Sequence, residues 1–140
     1  MKKLILIMLL FCQVLSAPPG YQVPVVLQTE PFNNLEAIWQ AVIMVESGGN
    51  PDAFCWDVNN QPSVGISQIQ PSRIAHYNRL TGKDYKLKDA FDPEISKEIF
   101  MFFAKRIGNE ERLIRAWNGN IKSEMTYNYL QKVQKYLYIK

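Results

Sequence analysis

The sequence contains very little histidine and cysteine. Among its 140 residues there are one histidine, His76, and two cysteines, Cys12 and Cys55. So few nitrogen and sulfur ligands cannot complete a typical zinc site, so we expect neither a metal nor a cofactor. A glycine-rich loop that could cradle phosphates is also missing from the sequence. Metal-assisted and nucleotide-dependent chemistry are therefore not expected.

Long hydrophobic runs are also missing, except for one at the N-terminus. Residues 4–15 are apolar apart from Gln13, follow two lysines, and precede the small residues Ser16 and Ala17. A membrane-spanning helix needs about 20 apolar residues, and this run is shorter. The pattern is typical of a signal peptide, residues 1–17, that is cleaved after Ala17. We therefore expect export to the periplasm, cell envelope or medium, with a retained membrane anchor as the alternative.

Removal of this segment would leave Cys55 as the only thiol, in a chain long enough for one domain with its own core. An exported chain with one thiol has no internal disulfide, so packing must stabilise it. We expect Cys55 to be a small buried apolar residue. The formal net charge of +3 includes the two lysines of the signal, and the remaining basic residues are scattered. No nucleic-acid-binding stripe is visible.

The rest of the sequence predicts a mainly α fold of the α+β kind. Prolines make residues 18–32 an extended leader, and the folded domain is expected over 33–140. Alternating apolar residues around two asparagines predict a hairpin within 52–64. Apolar periodicity and cap residues predict about five helices around a cleft. Their predicted ranges are 34–47, 71–80, 93–107, 110–118 and 126–138.

Glu46 lies at the end of the first predicted helix, where Gly48 and Gly49 stop the helical pattern. A glutamic acid can deliver a proton near neutral pH if apolar surroundings raise its pKa from about 4.3 towards roughly 6. Met44 and Val45 precede it and could supply such walls. Glu46 is therefore a candidate general acid, and the alternative is a solvated glutamate at a helix end.

Two later segments carry side chains that suit a sugar-binding cleft. Gly65 would let the backbone approach a ligand closely, and Gln68 offers both a donor and an acceptor to sugar groups. Asn118 ends the fourth predicted helix, and Trp117 and Tyr129 could stack on sugar faces. Each also has an ordinary structural interpretation, namely a loop residue, a helix cap and two core aromatics.

Taken in order, these segments resemble the lytic transglycosylase family of the SLT type, which has a lysozyme-like fold. The similarity extends over about residues 34–137 and includes features of short phage-like members. The motifs that carry it are Glu46-Ser47, Gly65-Ile66-Ser67-Gln68-Ile69, Ala116-Trp117-Asn118-Gly119 and Tyr129-Leu130-Gln131-Lys132-Val133.

The resemblance implies a peptidoglycan lytic transglycosylase. Such an enzyme cleaves the β-1,4 bond between N-acetylmuramic acid and N-acetylglucosamine and forms a 1,6-anhydro product. Glu46 would act as the general acid and then as the base. Ser67 stands where many members carry methionine or leucine, which predicts a more polar subsite wall. Among substrate-binding positions the resemblance implies Gln68, Asn118 and Tyr129. We also expect Ser47, Gly65 and Trp117 to bind substrate.

Two other functions stay open at this point. A hydrolytic muramidase would need a second carboxylate, for which Asp57 is the first candidate and Asp52 the second. Asp57 could equally be a turn residue that caps its own loop. The other alternative is a non-catalytic wall-binding or virion structural protein. We expect the protein to bind peptidoglycan glycan strands and not nucleic acid. We also expect a monomer, which a secretion, conjugation or phage assembly could localise.

Overall fold

Five α-helices and one short β-hairpin make up residues 34–138, the part of the chain that the computed structural model describes. The predicted mainly α architecture is confirmed. The signal peptide over 1–17 and the leader over 18–32 lie outside the described residues. The helices are α1 Leu35–Ser47, α2 Pro71–Thr81, α3 Pro93–Ile107, α4 Glu110–Asn118 and α5 Glu124–Leu137, and a 3-10 helix spans Leu87–Phe91.

Helix α1 forms because its apolar residues recur at helical spacing and face the interior. Ile38, Trp39 and Val42 are among its buried side chains. It ends at Gly48, which adopts the left-handed conformation with φ of 65° and donates its N–H to Met44 O at 3.2 Å. Glu46 is therefore held in the last turn of a helix that is fixed in the core.

The hairpin pairs β1 (Phe54–Trp56) with β2 (Pro62–Val64) in antiparallel register. All three residues of β1 are exposed, whereas Val64 at the end of β2 is buried. The expectation that Cys55 is buried is therefore wrong, because nothing within residues 34–138 covers the side chains of β1. Val64 forms an isolated bridge with Ile69, which closes the turn that follows the hairpin.

The later helices begin at side-chain caps that the sequence offers. Asp92 caps α3 by accepting the Glu94 N–H at 2.8 Å, and Asn109 caps α4 by accepting the Arg112 N–H at 2.9 Å. Ser123 caps α5, so this helix begins at Glu124, earlier than predicted. Tyr136, near the end of this helix, is 49% exposed.

Helix α3 supplies the middle of the core. Its Phe100 is fully buried, and its ring lies 5.2 Å from that of Trp39 and 4.9 Å from that of Trp117, centroid to centroid. Helix α5 packs on both α1 and α4. These contacts bring the C-terminal ends of α1 and α4, which are far apart in sequence, to one region of the fold.

Within residues 34–138, none of the helices is long and apolar enough to cross a bilayer. The same part of the chain has no group of three or more His, Cys, Asp or Glu side chains that could hold a metal ion.

Candidate active site

The turn from Gly65 to Ile69 is held between the ends of α1 and α4. Ser47, at the end of α1, donates its hydroxyl to Ile66 O at 2.7 Å. Trp117, near the end of α4, donates its indole Nε1–H to Ser67 O at 3.2 Å. Three segments that are distant in sequence are thus joined by two hydrogen bonds.

Gly65 allows a close approach of its backbone to the backbone of Ala90. Its φ is +75°, and a Cβ at this position would lie 2.0 Å from Ala90 O, in the 3-10 helix. A side chain would therefore drive this helix away from the turn. The glycine is thus required by the contact with Ala90, and its expected role against a ligand stays a prediction.

Ser67 faces the interior, so the expectation of a more polar subsite wall is also wrong. The residue is fully buried, and its Oγ has no hydrogen-bond partner among the described residues. Burial of an unpaired hydroxyl costs roughly 1–3 kcal/mol. The methionine or leucine of other family members would avoid that cost.

A cavity of about 680 Å³ opens beside this joined region. Its volume is in the range of small-molecule sites. Of the residues singled out from the sequence, it brings together Glu46, Asp57, Gln68, Trp117 and Asn118. Ser47, Gly65 and Tyr129 are not among its lining residues, which also include Cys55, Val58, Ser63, Gln70, Ser72, Arg73, Ala116, Gly119 and Met125.

The surroundings of Glu46 in this cavity alter its protonation. Burial raises the pKa of Glu46 from 4.5 to about 7, because the charged form loses its hydration. A hydrogen bond from Tyr129 and the positive charge of Arg73 act in the opposite direction and lower this pKa, but burial dominates. The carboxyl can therefore both hold and release a proton near neutral pH.

Tyr129 contacts the candidate acid directly. Its hydroxyl donates to Glu46 Oε1 at 2.7 Å, which joins α5 to α1. Only 7% of its surface is exposed, so it does not offer a ring face to a sugar, as stacking would require. Burial and the negative charge of Glu46 raise the pKa of Tyr129 above its ordinary value, so it stays a hydrogen-bond donor.

Arg73, on α2, is a site residue that the sequence motifs did not single out. Its Nη2 donates to Trp117 O at 2.8 Å and to Ala116 O at 3.2 Å, and its Cζ lies 4.2 Å from the centroid of the Trp117 ring. Burial lowers the pKa of Arg73, whereas Glu46 raises it. The sequence did contain an indication that Arg73 faces inward. It lies four residues before the core residue Tyr77, on the same face of the helix.

Gln68 uses one end of its amide to fix its own turn. Its Nε2 donates to Gly65 O at 2.9 Å and to Ala53 O at 3.3 Å. The backbone of Gln68 has a φ of +53°, which is uncommon outside glycine and costs of the order of 1 kcal/mol. Its Oε1 accepts no hydrogen bond within residues 34–138, so this oxygen is the acceptor it can offer to a ligand.

Asp57, the candidate second carboxylate, is engaged in holding the hairpin turn. Its Oδ1 accepts the N–H groups of Asn59 at 2.9 Å and Gln61 at 2.8 Å, and its Oδ2 accepts Gln70 Nε2 at 3.0 Å. It lines the cavity but has both oxygens occupied. Asp52 is exposed and is not part of the cavity wall.

At the end of α4 the two predicted residues have different surroundings. Trp117 is 5% exposed and packs between Arg73 and Phe100, so it forms a rigid part of the wall. Asn118 is exposed and is the last residue of the helix. Its amide is therefore available to a ligand in the cavity.

Comparison with protein families agrees with this geometry. The model of the transglycosylase SLT domain matches residues 28–136 of the chain. The protein belongs to this family, and its mainly helical structure with one small antiparallel sheet is consistent with the lysozyme-like fold. Membership supports, at the level of the family, lytic transglycosylase activity on peptidoglycan. Neither a curated protein nor a solved structure matches the chain.

Proposed function

We propose that this protein cleaves the β-1,4 bond between N-acetylmuramic acid and N-acetylglucosamine in peptidoglycan, with Glu46 as its only catalytic carboxyl. The observation that supports this most is the half-buried Glu46, whose pKa is raised to about 7 in the wall of a sugar-sized cavity. Its neighbours Gln68 and Asn118 supply amide groups to the same cavity.

In the first step protonated Glu46 donates its proton to the glycosidic oxygen. The bond from this oxygen to C1 of the muramoyl residue breaks, and positive charge grows on the sugar ring. Tyr129 donates to Oε1 of Glu46, and this contact holds the carboxyl in place while the proton leaves. The departing N-acetylglucosamine carries the proton as its new 4-hydroxyl.

In the second step the Glu46 carboxylate takes the proton of the muramoyl 6-hydroxyl. The 6-oxygen then bonds to C1 of the same sugar, which closes the 1,6-anhydro ring and restores protonated Glu46. No water is consumed. The 6-hydroxyl is an intramolecular nucleophile and is already close to C1. Its proximity lowers the barrier to attack, so no second carboxylate is needed. A pKa near 7 suits both steps, since the same group must give and regain a proton.

Hydrolysis to a reducing muramic end is the second candidate. It would need a carboxylate to activate water or to stabilise the cation, and Asp57 lies in the same cavity wall. Three hydrogen bonds from the hairpin and Gln70 already occupy its two oxygens. We therefore favour the anhydro route.

Mass spectrometry of sacculi digested by the purified protein tests the proposal. We expect 1,6-anhydromuramoyl products from the wild type and from Asp57→Asn, and none from Glu46→Gln. Reducing muramic ends without anhydro sugar would establish the hydrolase instead. Absence of any cleavage by the folded wild type, together with retained binding to sacculi, would establish a wall-binding protein.

We also propose that the protein acts outside the cytoplasm. The support is the N-terminal pattern over residues 1–17 and the location of peptidoglycan. N-terminal sequencing of the protein from a cell envelope fraction should begin at Pro18. An intact N-terminus in the membrane fraction would indicate a retained anchor.

A further inference from the structure

A second cleft shares a wall with the catalytic cavity. It lies between α2, α3 and α4 and has a volume of about 430 Å³. Arg73, Ala116 and Trp117 line both spaces, so the two are direct neighbours. The other residues of the second cleft are His76, Leu80, Phe103, Arg106, Ile107 and Leu113.

The walls of the second cleft are mainly aliphatic and aromatic. Leu80 is 44% exposed although it is a large hydrophobic side chain, whereas Phe103 and Leu113 are almost fully buried. The cleft is therefore an apolar surface within reach of solvent, next to the proposed site of glycan cleavage. Such a surface suits small aliphatic groups of a ligand.

The charged groups that line this cleft are all basic. Arg73 and Arg106 contribute two guanidinium groups, and no carboxylate of residues 34–138 is among its lining residues. Arg106 is exposed, and its Cζ lies 4.3 Å from the centroid of the Phe102 ring. Arg73 lies at the boundary of the two spaces. Within the described residues its hydrogen bonds to backbone carbonyls are all donated by Nη2. The combination favours an anionic ligand with aliphatic parts.

We propose that the second cleft binds the acidic peptide stem of the muramoyl residue whose sugar occupies the catalytic cavity. This inference rests on the proposed function, because it assigns a further subsite for the same substrate. The stem is bonded to the muramic lactyl group, so its first residues must lie close to the sugar. It carries free carboxylates and small aliphatic side chains, which match the basic groups and the apolar walls.

Paired substrates test this assignment. One is peptidoglycan with intact stems, and the other is the same material after an amidase has removed them. We expect the wild type to have a higher kcat/KM on stem-bearing glycan. In Arg106→Glu the ratio of the two kcat/KM values should fall about fivefold, mainly through KM, because an attraction between exposed charges becomes a repulsion. High salt should reduce the wild-type preference.

Lys105→Glu is the matched control, because it makes the same charge change at the neighbouring exposed position of α3 outside this cleft. It should keep the wild-type ratio. Leu80→Glu, which places a carboxylate on the apolar wall at an exposed position, should lower the ratio as Arg106→Glu does.

Equal ratios in the wild type, Arg106→Glu and Leu80→Glu, with cleavage of both substrates, would overturn the peptide-stem assignment and leave the proposed function standing. Failure of the wild type to cleave either substrate would instead overturn the proposed function. A concentration-dependent dimer that Leu80→Glu abolishes would show that a second copy occupies the cleft, and would overturn the assignment as well.

Discussion

At the scale of single residues, the behaviour of Glu46 depends on three opposing influences. Burial disfavours its charged form, whereas the Tyr129 hydroxyl and the Arg73 guanidinium favour it. The pKa of about 7 is the outcome of this competition. Removal of either favourable partner should therefore move the pKa of Glu46 further up.

Tyr129→Phe tests the first partner. It removes the hydroxyl that donates to Glu46 Oε1 but keeps the buried ring. The pKa of Glu46 should rise, so the alkaline limb of the pH profile of kcat/KM should move to higher pH. Loss of a hydrogen bond to a charged group should also lower kcat roughly 10- to 100-fold. An unchanged alkaline limb would show that the hydroxyl does not influence the acid.

Between elements, Arg73 ties α2 to the end of α4 and lines the same cavity as the acid at the end of α1. It therefore has a structural task, through Trp117 O, and an electrostatic one, through Glu46. We assign it as a positioning residue. Substitutions that keep or remove its charge separate the two tasks.

Arg73→Met should raise the pKa of Glu46 and move the alkaline limb of kcat/KM upward, because a positive charge near the carboxylate is lost. Arg73→Lys keeps the charge but cannot reproduce the planar stacking on Trp117. It should therefore leave the limb near its wild-type position while lowering thermal stability. Identical pH profiles for both variants would rule out the electrostatic task.

The contact between the turn at Gly65 and the 3-10 helix can be tested with a pair of glycines of similar conformation. Gly65 and Gly82 have φ values of +75° and +74°, but only a Cβ at Gly65 meets backbone, at Ala90 O. Gly82→Ala should lower the free energy of unfolding by about 1–2 kcal/mol, because only the strain of the left-handed conformation is added.

Gly65→Ala should cost at least about 2 kcal/mol more in the free energy of unfolding, because the 3-10 helix must also move. Urea unfolding of both variants measures the difference. An equal loss of unfolding free energy in both variants would mean that the 3-10 helix moves away from residue 65 without a penalty.

For the whole molecule, the raised pKa of Glu46 makes stability depend on pH. The folded state holds this proton up to about pH 7, whereas an unfolded chain releases it near the ordinary value of 4.5. The contribution of Glu46 to stability is therefore fully present below pH 4.5 and is lost as the pH rises through 7.

Glu46→Gln removes this titration. Relative to the wild type, the variant should gain stability between pH 5 and 8, with a total change of about 3 kcal/mol for a shift of this size. Urea titrations of both proteins across this range measure the difference. Parallel stability curves would show that Glu46 is not desolvated in the folded protein.

The sequence predicted the elements of this fold well because their signals are local. Apolar periodicity, Pro93 after its cap Asp92, and Gly48 after α1 each act within one or two turns. The 3-10 helix over Leu87–Phe91 was missed, since so short an element leaves little periodicity. The exposure of Cys55 was also missed, because alternation in a strand does not say whether anything covers it.

The sequence by itself determined the helices, the hairpin and the identity of a candidate acid at the end of α1. Only the tertiary structure decided that Tyr129 donates to Glu46, that Arg73 lines the same cavity, and that Gly65 makes a close contact with Ala90. The physical reason is that pKa shifts and steric limits arise from through-space contacts between segments distant in the chain. Local patterns carry no information on those distances, so the chemistry of the site appears only when the helices have packed.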